Sequence, residues 1–244
     1  LNLEPWNLGL GTQRLKIGVE GGTVSALFLA PAQARACYVL AHGAGAGMAH
    51  PFMAAVADGL ARRAIATLRY QFPYMERGSK RPDPPKVAHA AVRAAVAEAA
   101  RVAPGLTLVA GGKSFGGRMT SQAQAASPLP GVRGLAFLGF PLHPAGQASD
   151  ERAKHLFDVQ VPMLFLQGAA DKLADPALLA SLVEKMRGSW MVDRGSWSTP
   201  SVALKLFPDA DHSFHVPARS GRKDADVIER VLDELARWII ALER

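Results

Sequence analysis

Thr107-Leu108-Val109-Ala110-Gly111-Gly112-Lys113-Ser114-Phe115-Gly116-Gly117-Arg118-Met119 is the stretch that decides the fold. Its first residues are an apolar run, and Gly112-Lys113-Ser114-Phe115-Gly116 is a G-x-S-x-G pentapeptide. The next ten residues, Gly117 through Ala126, read as a helix. A strand, a sharp turn carrying a serine, and a helix lift the serine hydroxyl clear of a sheet edge. The serine backbone is expected at positive φ, a strained conformation for a residue with a side chain. Glycines two before and two after it remove Cβ atoms that would clash. The pentapeptide alone is a weak signal, because a Gly-rich β-to-α turn with a helix-capping serine has the same letters. Two further features must stand at set places. One is a loop able to hold an oxyanion after an earlier strand; the other is an acid and then a histidine, each just past a later strand.

Both are present. Ala36-Cys37-Tyr38-Val39-Leu40-Ala41 reads as a buried strand and runs into His42-Gly43-Ala44-Gly45-Ala46-Gly47. Small residues in this H-G-x-G form let backbone N–H groups face a developing oxyanion. By position, the amides of Ala44 and Phe115 are the expected donors. A phosphate-cradling G-x-G-x-x-G fits poorly, since its last glycine falls on Met48.

Downstream, Val161-Pro162-Met163-Leu164-Phe165-Leu166 is another buried strand, ending in Gln167-Gly168-Ala169-Ala170-Asp171. Asp171 is the expected acid. Asp175 competes, but Pro176 comes next, so Asp175 reads as the N-cap of the next helix with proline at its first position. The last strand, Val202-Ala203-Leu204-Lys205-Leu206-Phe207, leads through Pro208-Asp209-Ala210-Asp211 to His212, the expected general base. The chain order Ser114, Asp171, His212 is that of the α/β-hydrolase fold and of no other serine-hydrolase fold. The predicted architecture is therefore a mostly parallel sheet flanked by helices. The segment 143–160 is short, with room for one helix near 150–157, so no large cap domain is expected and the site should be open and shallow.

The remaining elements fit that frame. Residues 14–20 and 23–29 read as a hairpin, 51–63 as a helix, 65–70 as a strand, 86–102 as an Ala-rich helix and 134–139 as a strand. Further helices are expected at 177–186 and 224–242, the last with one apolar stripe. Two stretches read as irregular. The segment 71–85 lies where the site is expected, and its Arg77, Lys80 and Arg81, with Tyr74 and Met75, predict a substrate-facing wall favouring an anionic group. The segment 188–200 holds Gly188-Ser189-Trp190 and Gly195-Ser196-Trp197; exposed tryptophans at that opposite edge would suit a contact between subunits, leaving a homo-oligomer open.

At 244 residues, 49% of them hydrophobic, the chain is most economically one domain over residues 1–244. Its 28 Lys+Arg against 21 Asp+Glu leave a net charge of +7. The basic residues are scattered and aromatics sparse, so no nucleic-acid surface is expected. No apolar run has the length of a membrane span, and Leu1-Asn2-Leu3-Glu4-Pro5-Trp6 lacks a charged-then-apolar leader pattern. The single Cys37 cannot close an internal disulfide, which fits a cytoplasmic protein.

Other motifs fall away. Gly112-Lys113-Ser114 looks like the end of a Walker A loop, but Thr107 stands where its first glycine belongs. His212 and His215 have H-x-x-H spacing without clustered acidic or cysteine partners, so no metal is expected. His42 reads as support for the oxyanion turn, and His143 as structural or cleft-lining.

His42-Gly43-Ala44-Gly45, the stretch from Gly111 to Arg118, Gly139-Phe140-Pro141-Leu142-His143-Pro144 and Asp211-His212-Ser213-Phe214 together resemble a small α/β-hydrolase group. It is named after testis-expressed protein thirty and the third subunit of the NSL chromatin complex, and is related to dienelactone hydrolases. The resemblance spans roughly residues 15–243. It implies a cap-less fold with Ser114, Asp171 and His212 as the triad and implies no substrate; some relatives act as complex subunits. Ser114 stands where dienelactone hydrolases carry cysteine, so their lactone activity does not transfer, and the 188–200 segment is atypical of the group. The expectation is a cofactor-free serine hydrolase of a small carboxylic ester or thioester. The alternative is a non-catalytic hydrolase-fold binding or scaffold protein.

Overall fold

The computed structural model describes residues 11–194 and 202–243, except the side chains from 190 to 194. In chain order the elements are β1 (Gln13–Val19), β2 (Gly22–Leu29), β3 (Ala36–Ala41), α1 (Pro51–Ala61), β4 (Ile65–Tyr70), α2 (Pro73–Glu76), α3 (Pro85–Val102) and β5 (Thr107–Lys113). Then come α4 (Phe115–Ala126), β6 (Val132–Leu138), a 3₁₀ segment (Glu151–Asp158), β7 (Met163–Gly168), α5 (Pro176–Arg194), β8 (Val202–Phe207) and α6 (Asp224–Ala241). The eight strands form one sheet in the order β1-β2-β4-β3-β5-β6-β7-β8. The β1–β2 and β2–β4 pairs are antiparallel, and every pair from β3 to β8 is parallel. This is the α/β-hydrolase fold expected from the strand–turn–helix elbow at Ser114, with no large cap domain among the described residues.

Strand sequences account for the two-sided core. β3, β4 and β7 are buried at every residue, as strands covered on both faces must be. Along β3, Tyr38 and Leu40 pack with Met53, Val56 and Leu60 of α1 and with the apolar stripe of α6. Cys37 and Val39 pack on the other face with Ala88, Val92 and Val96 of α3, Met119 of α4 and Leu182 of α5. α1 and α6 therefore cover one face, and α3, α4 and α5 the other. Burial in this layer pushes the Cys37 thiol up to about 12, so it behaves as a small apolar side chain.

Two segments differ from the sequence-based expectation. The stretch 71–85 contains the short helix α2, opened by Pro73 at its first position and pinned to the hairpin by Glu76. Glu76 accepts from Lys16 Nζ (2.9 Å), Ser25 N (2.9 Å) and Ser25 Oγ (2.8 Å). Helix α5 does not stop at Met186 but continues to Arg194, so 188–194 is helical. Gly188 sits at an open position on that helix, where glycine costs about 1 kcal/mol without breaking it. Gly195-Ser196-Trp197 lies outside the described residues, as does the side chain of Trp190. Among the described residues no helix is long and apolar enough to cross a membrane.

Candidate active site

Ser114 joins β5 to α4 at φ 50°, ψ −117°, the strained conformation expected of it. The flanking glycines are needed because main chain crowds them. A Cβ on Gly112 would stand 2.2 Å from the carbonyl oxygen of Ala41, and one on Gly116 would stand 2.6 Å from the same oxygen. The end of β3 thus lies directly against the elbow and carries the His42–Gly47 loop beside Ser114.

Asp171 and His212 arrive from the C-terminal ends of β7 and β8. Gly168 lets the two loops touch, since a Cβ there would lie 2.3 Å from Ala210 O and 2.4 Å from Asp211 O. Backbone bonds Ala169 N to Phe207 O (2.9 Å) and Ala170 N to Ala210 O (2.8 Å) join them. His212 is held by a tight turn in which Asp211 Oδ1 accepts from Ser213 N (2.7 Å) and His215 N (3.0 Å). Phe214 closes this turn at φ 63° and is fully buried between Phe52 and Phe207.

The structure brings the three predicted residues together. Ser114 Oγ lies 2.8 Å from His212 Nε2, and His212 Nδ1 lies 2.6 Å from Asp171 Oδ2. The Asp171 side chain is wholly buried, whereas His212 is 23% exposed. Asp171 can only accept, so the imidazole proton sits on Nδ1 and leaves Nε2 facing the serine hydroxyl. Leu173 N donates to Asp171 Oδ1 (2.8 Å) and the amide of Gln167 donates to Oδ2. Asp175 is the helix cap that Pro176 predicts, with Oδ1 accepting from Leu178 N (2.8 Å).

Ala44 and Phe115 both line the cleft above Ser114. Phe115 opens α4, where the first N–H groups have no intrahelical acceptor. Neither amide is bonded to an acceptor among the described residues. The loop carrying Ala44 is braced from below. His42 Nε2 accepts from Phe72 N (3.1 Å), which puts its proton on Nδ1, facing Gly43 O at 2.8 Å. Burial pushes the His42 ring down to about 4, so it is neutral at physiological pH. Gln71 Oε1 accepts from Met48 N (2.9 Å) across the gap left by Gly47. His143 is likewise structural, accepting from Asp175 N (2.8 Å).

The cleft measures about 400 Å³ and is mostly apolar, with Pro82, Pro85, Phe115, Met119, Pro141 and Leu173 around Ser114. Its charges are not those expected. Arg77, Lys80 and Arg81 are exposed and do not line it, and Arg77 is spent on Asp83 at 2.5 Å. Arg118 and Arg152 line it instead. Tyr74 is buried beneath the His42–Gly47 loop with Phe72 and Phe115. Lys113, the residue before the serine, has a buried ammonium without a hydrogen-bond partner among the described residues. Desolvation brings it down to about 8 despite Asp171 and Asp211 nearby. Among the described residues no three His, Cys, Asp or Glu side chains are grouped to hold a metal ion, and His215 pairs with Asp224 at 2.8 Å.

The chain belongs to the alpha/beta hydrolase domain family, matched over residues 34–240. Its architecture is similar to that of a lidless α/β serine hydrolase from Xanthomonas campestris, at TM-score 0.69 and 22% identity over 98% of each chain. It is similar also to a dienelactone hydrolase from Anabaena variabilis, at TM-score 0.72 and 19% identity over 95% of this chain and 98% of that one. An α/β serine hydrolase homologue from Coxiella burnetii matches at TM-score 0.70 and 18% identity, covering 91% and 97%. These matches carry the fold, and they do not single out the narrower group named after testis-expressed protein thirty.

Proposed function

We propose that this chain is a serine hydrolase of small carboxylic esters or thioesters, working as a single domain without a cofactor. One observation carries the reading: an unbroken hydrogen-bonded line from buried Asp171 through His212 to Ser114, ending on a strained serine beside two amides that have no acceptor among the described residues. In this scheme Ser114 Oγ attacks the substrate carbonyl carbon as His212 Nε2 takes the hydroxyl proton. Asp171 remains ionised, holding the Nδ1 proton and stabilising the imidazolium. The oxyanion forms against the amides of Ala44 and Phe115, each contributing about 3 kcal/mol in sites of this kind. His212 returns the proton to the departing alcohol or thiol, leaving Ser114 acylated. Water then attacks by the same route, and the acid leaves.

The narrower kinship with the testis-expressed protein thirty group rests on its motifs, among them Gly139-Phe140-Pro141-Leu142-His143-Pro144. A cytoplasmic location rests on the single buried Cys37. The test of the enzymatic reading is labelling by a fluorophosphonate probe, with Ser114→Ala as control. Labelling that disappears in the variant supports an activated serine. A folded protein that takes no label, or a Ser114→Ala variant that keeps esterase activity, overturns the assignment, and the former outcome points to a non-catalytic scaffold.

A further inference from the structure

Arg118 and Arg152 stand together on the wall of the candidate active-site cleft with no acidic partner among the described residues. Arg118 belongs to the first turns of α4, and its N–H donates to Ser114 O at 3.1 Å. One helical turn, about 6 Å of rise over four residues, therefore separates its backbone from the nucleophile. Arg152 comes from the 3₁₀ segment, which is joined to α4 by the 2.7 Å contact between His155 Nε2 and Ser121 Oγ. Both arginines are half-buried, and Arg118 Nε is fully buried with no hydrogen-bond partner among the described residues. Arg118 is held below its ordinary range, first by burial and then by the charge of Arg152.

This arrangement is unfavourable on its own. A buried donor without an acceptor loses its solvation, and two guanidiniums at close quarters repel. The surroundings do not relieve it. Asp83 lines the same cleft, but it pairs with Arg77 through Oδ1, and its buried Oδ2 has no hydrogen-bond partner among the described residues, Arg118 and Arg152 included. His155 lies beside Arg118 and His89, and burial first, then Arg118, hold it down to about 4, so it is neutral. Asp158 is the acidic group facing His155, and it lies on the exposed side of the segment. Arg93 gives its guanidinium to Ala123 O and Ser127 O. Among the described residues no acidic side chain is paired with Arg118 or Arg152, and the cleft they line is where an anion would reach them.

We propose that Arg118 and Arg152 form an anion-binding subsite that selects esters carrying a carboxylate a few carbon atoms from the scissile carbonyl. Guanidiniums bind carboxylates through paired N–H donors, and a half-buried, apolar setting strengthens such contacts. The apolar residues that line the same cleft suit the short methylene chain of a dicarboxylic half-ester. The inference rests on the serine-hydrolase reading for its catalytic meaning, though the binding step stands apart from it.

The test therefore has two arms. In the first, calorimetry measures binding of monomethyl glutarate and of its neutral counterpart dimethyl glutarate to Ser114→Ala protein. The acid should bind at least about tenfold more tightly. Adding Arg118→Gln and Arg152→Gln should remove that preference, while Lys80→Gln with Arg81→Gln should leave it in place. Equal binding of the two esters, or a preference that survives loss of both cleft arginines, overturns the subsite. In the second arm, hydrolysis of acid-ended and neutral p-nitrophenyl esters of equal length should differ in KM and hardly in kcat. Fluorophosphonate labelling with no acid preference sinks the subsite alone. Acid-selective binding to a protein that never labels sinks the hydrolase reading alone.

Discussion

Gln167 and Asp171 are bound to each other beneath the imidazole: the Gln167 amide nitrogen donates to Asp171 Oδ2, the oxygen that also receives His212 Nδ1. Gln167 has no freedom to flip, because its Oε1 accepts from Phe140 N at 2.8 Å. The amide must present its N–H₂ to the carboxylate. Gln167 thus sets where Asp171 points, and through it the orientation of His212.

Gln167→Leu should therefore lower kcat by roughly tenfold to a hundredfold with little change in KM, the value of a hydrogen bond to a charged group. Gln167→Glu keeps an acceptor for Phe140 N but sets a second carboxylate against Asp171, and it should be at least as slow. Steady-state kinetics alongside thermal melts check this. A Gln167→Leu protein with wild-type kcat would show that Asp171 is positioned by Leu173 N and the loop alone.

Phe214 offers a test of strain. It occupies the left-handed region at φ 63° while filling the core between Phe52 and Phe207. Losing the ring costs about 3–5 kcal/mol in either small variant. The left-handed backbone then favours glycine over alanine by about 1–2 kcal/mol. Phe214→Gly should consequently unfold at higher urea than Phe214→Ala, the reverse of the usual order.

His42 makes stability fall in mild acid. Its ring is held neutral until about pH 4, whereas in the unfolded chain it takes up a proton near pH 6.5. Between those values the unfolded state binds more protons, so stability rises with pH and is lost as pH drops from 6.5 toward 4. The loss from His42 is on the order of 3 kcal/mol. His155, also held down to about 4, acts in the same direction. Urea midpoints at pH 7 and pH 4.5 should diverge more in the wild type than in His42→Asn, whose side chain still offers Phe72 N an acceptor.

Lys113 acts at the alkaline end. With its ammonium held down to about 8, against about 10.4 unfolded, the unfolded chain again binds more protons across that window. The cost of burying this cation is present below pH 8 and fades as pH rises toward 10.4. Lys113→Met should be more stable than the wild type at pH 7, by about 2 kcal/mol, with the gap closing by pH 10.

Much of the site was legible because its parts are encoded locally. Ser114, Asp171 and His212 each sit a fixed step beyond a strand that reads clearly, and Asp175 declared itself a cap through Pro176. The hairpin, β4 and α6 could be read from alternation and apolar spacing. What the sequence hid depends on packing between distant segments. Arg118 and Arg152 are neighbours only because the 3₁₀ segment lies on α4, whereas the exposed cations of 77–81 looked nearer the site in sequence. Gln167 reads as the first residue of a loop, and only its burial at the end of β7 turns it toward Asp171. Helix α5 outran its expected end because a single glycine costs a helix only about 1 kcal/mol, too little to end it at Gly188.

The close approach of β3 to the elbow sets a limit on how this protein can be altered. The atom that excludes side chains at both position 112 and position 116 is the carbonyl oxygen of Ala41. A main-chain oxygen is common to all twenty amino acids, so no replacement at position 41 makes room for a larger residue at either site. Compensation by a second mutation, the ordinary escape from a steric conflict, is closed at this point. Variation in the chemistry of this cleft must enter through the residues around its rim, and the two glycines hold their places whatever substrate that rim selects.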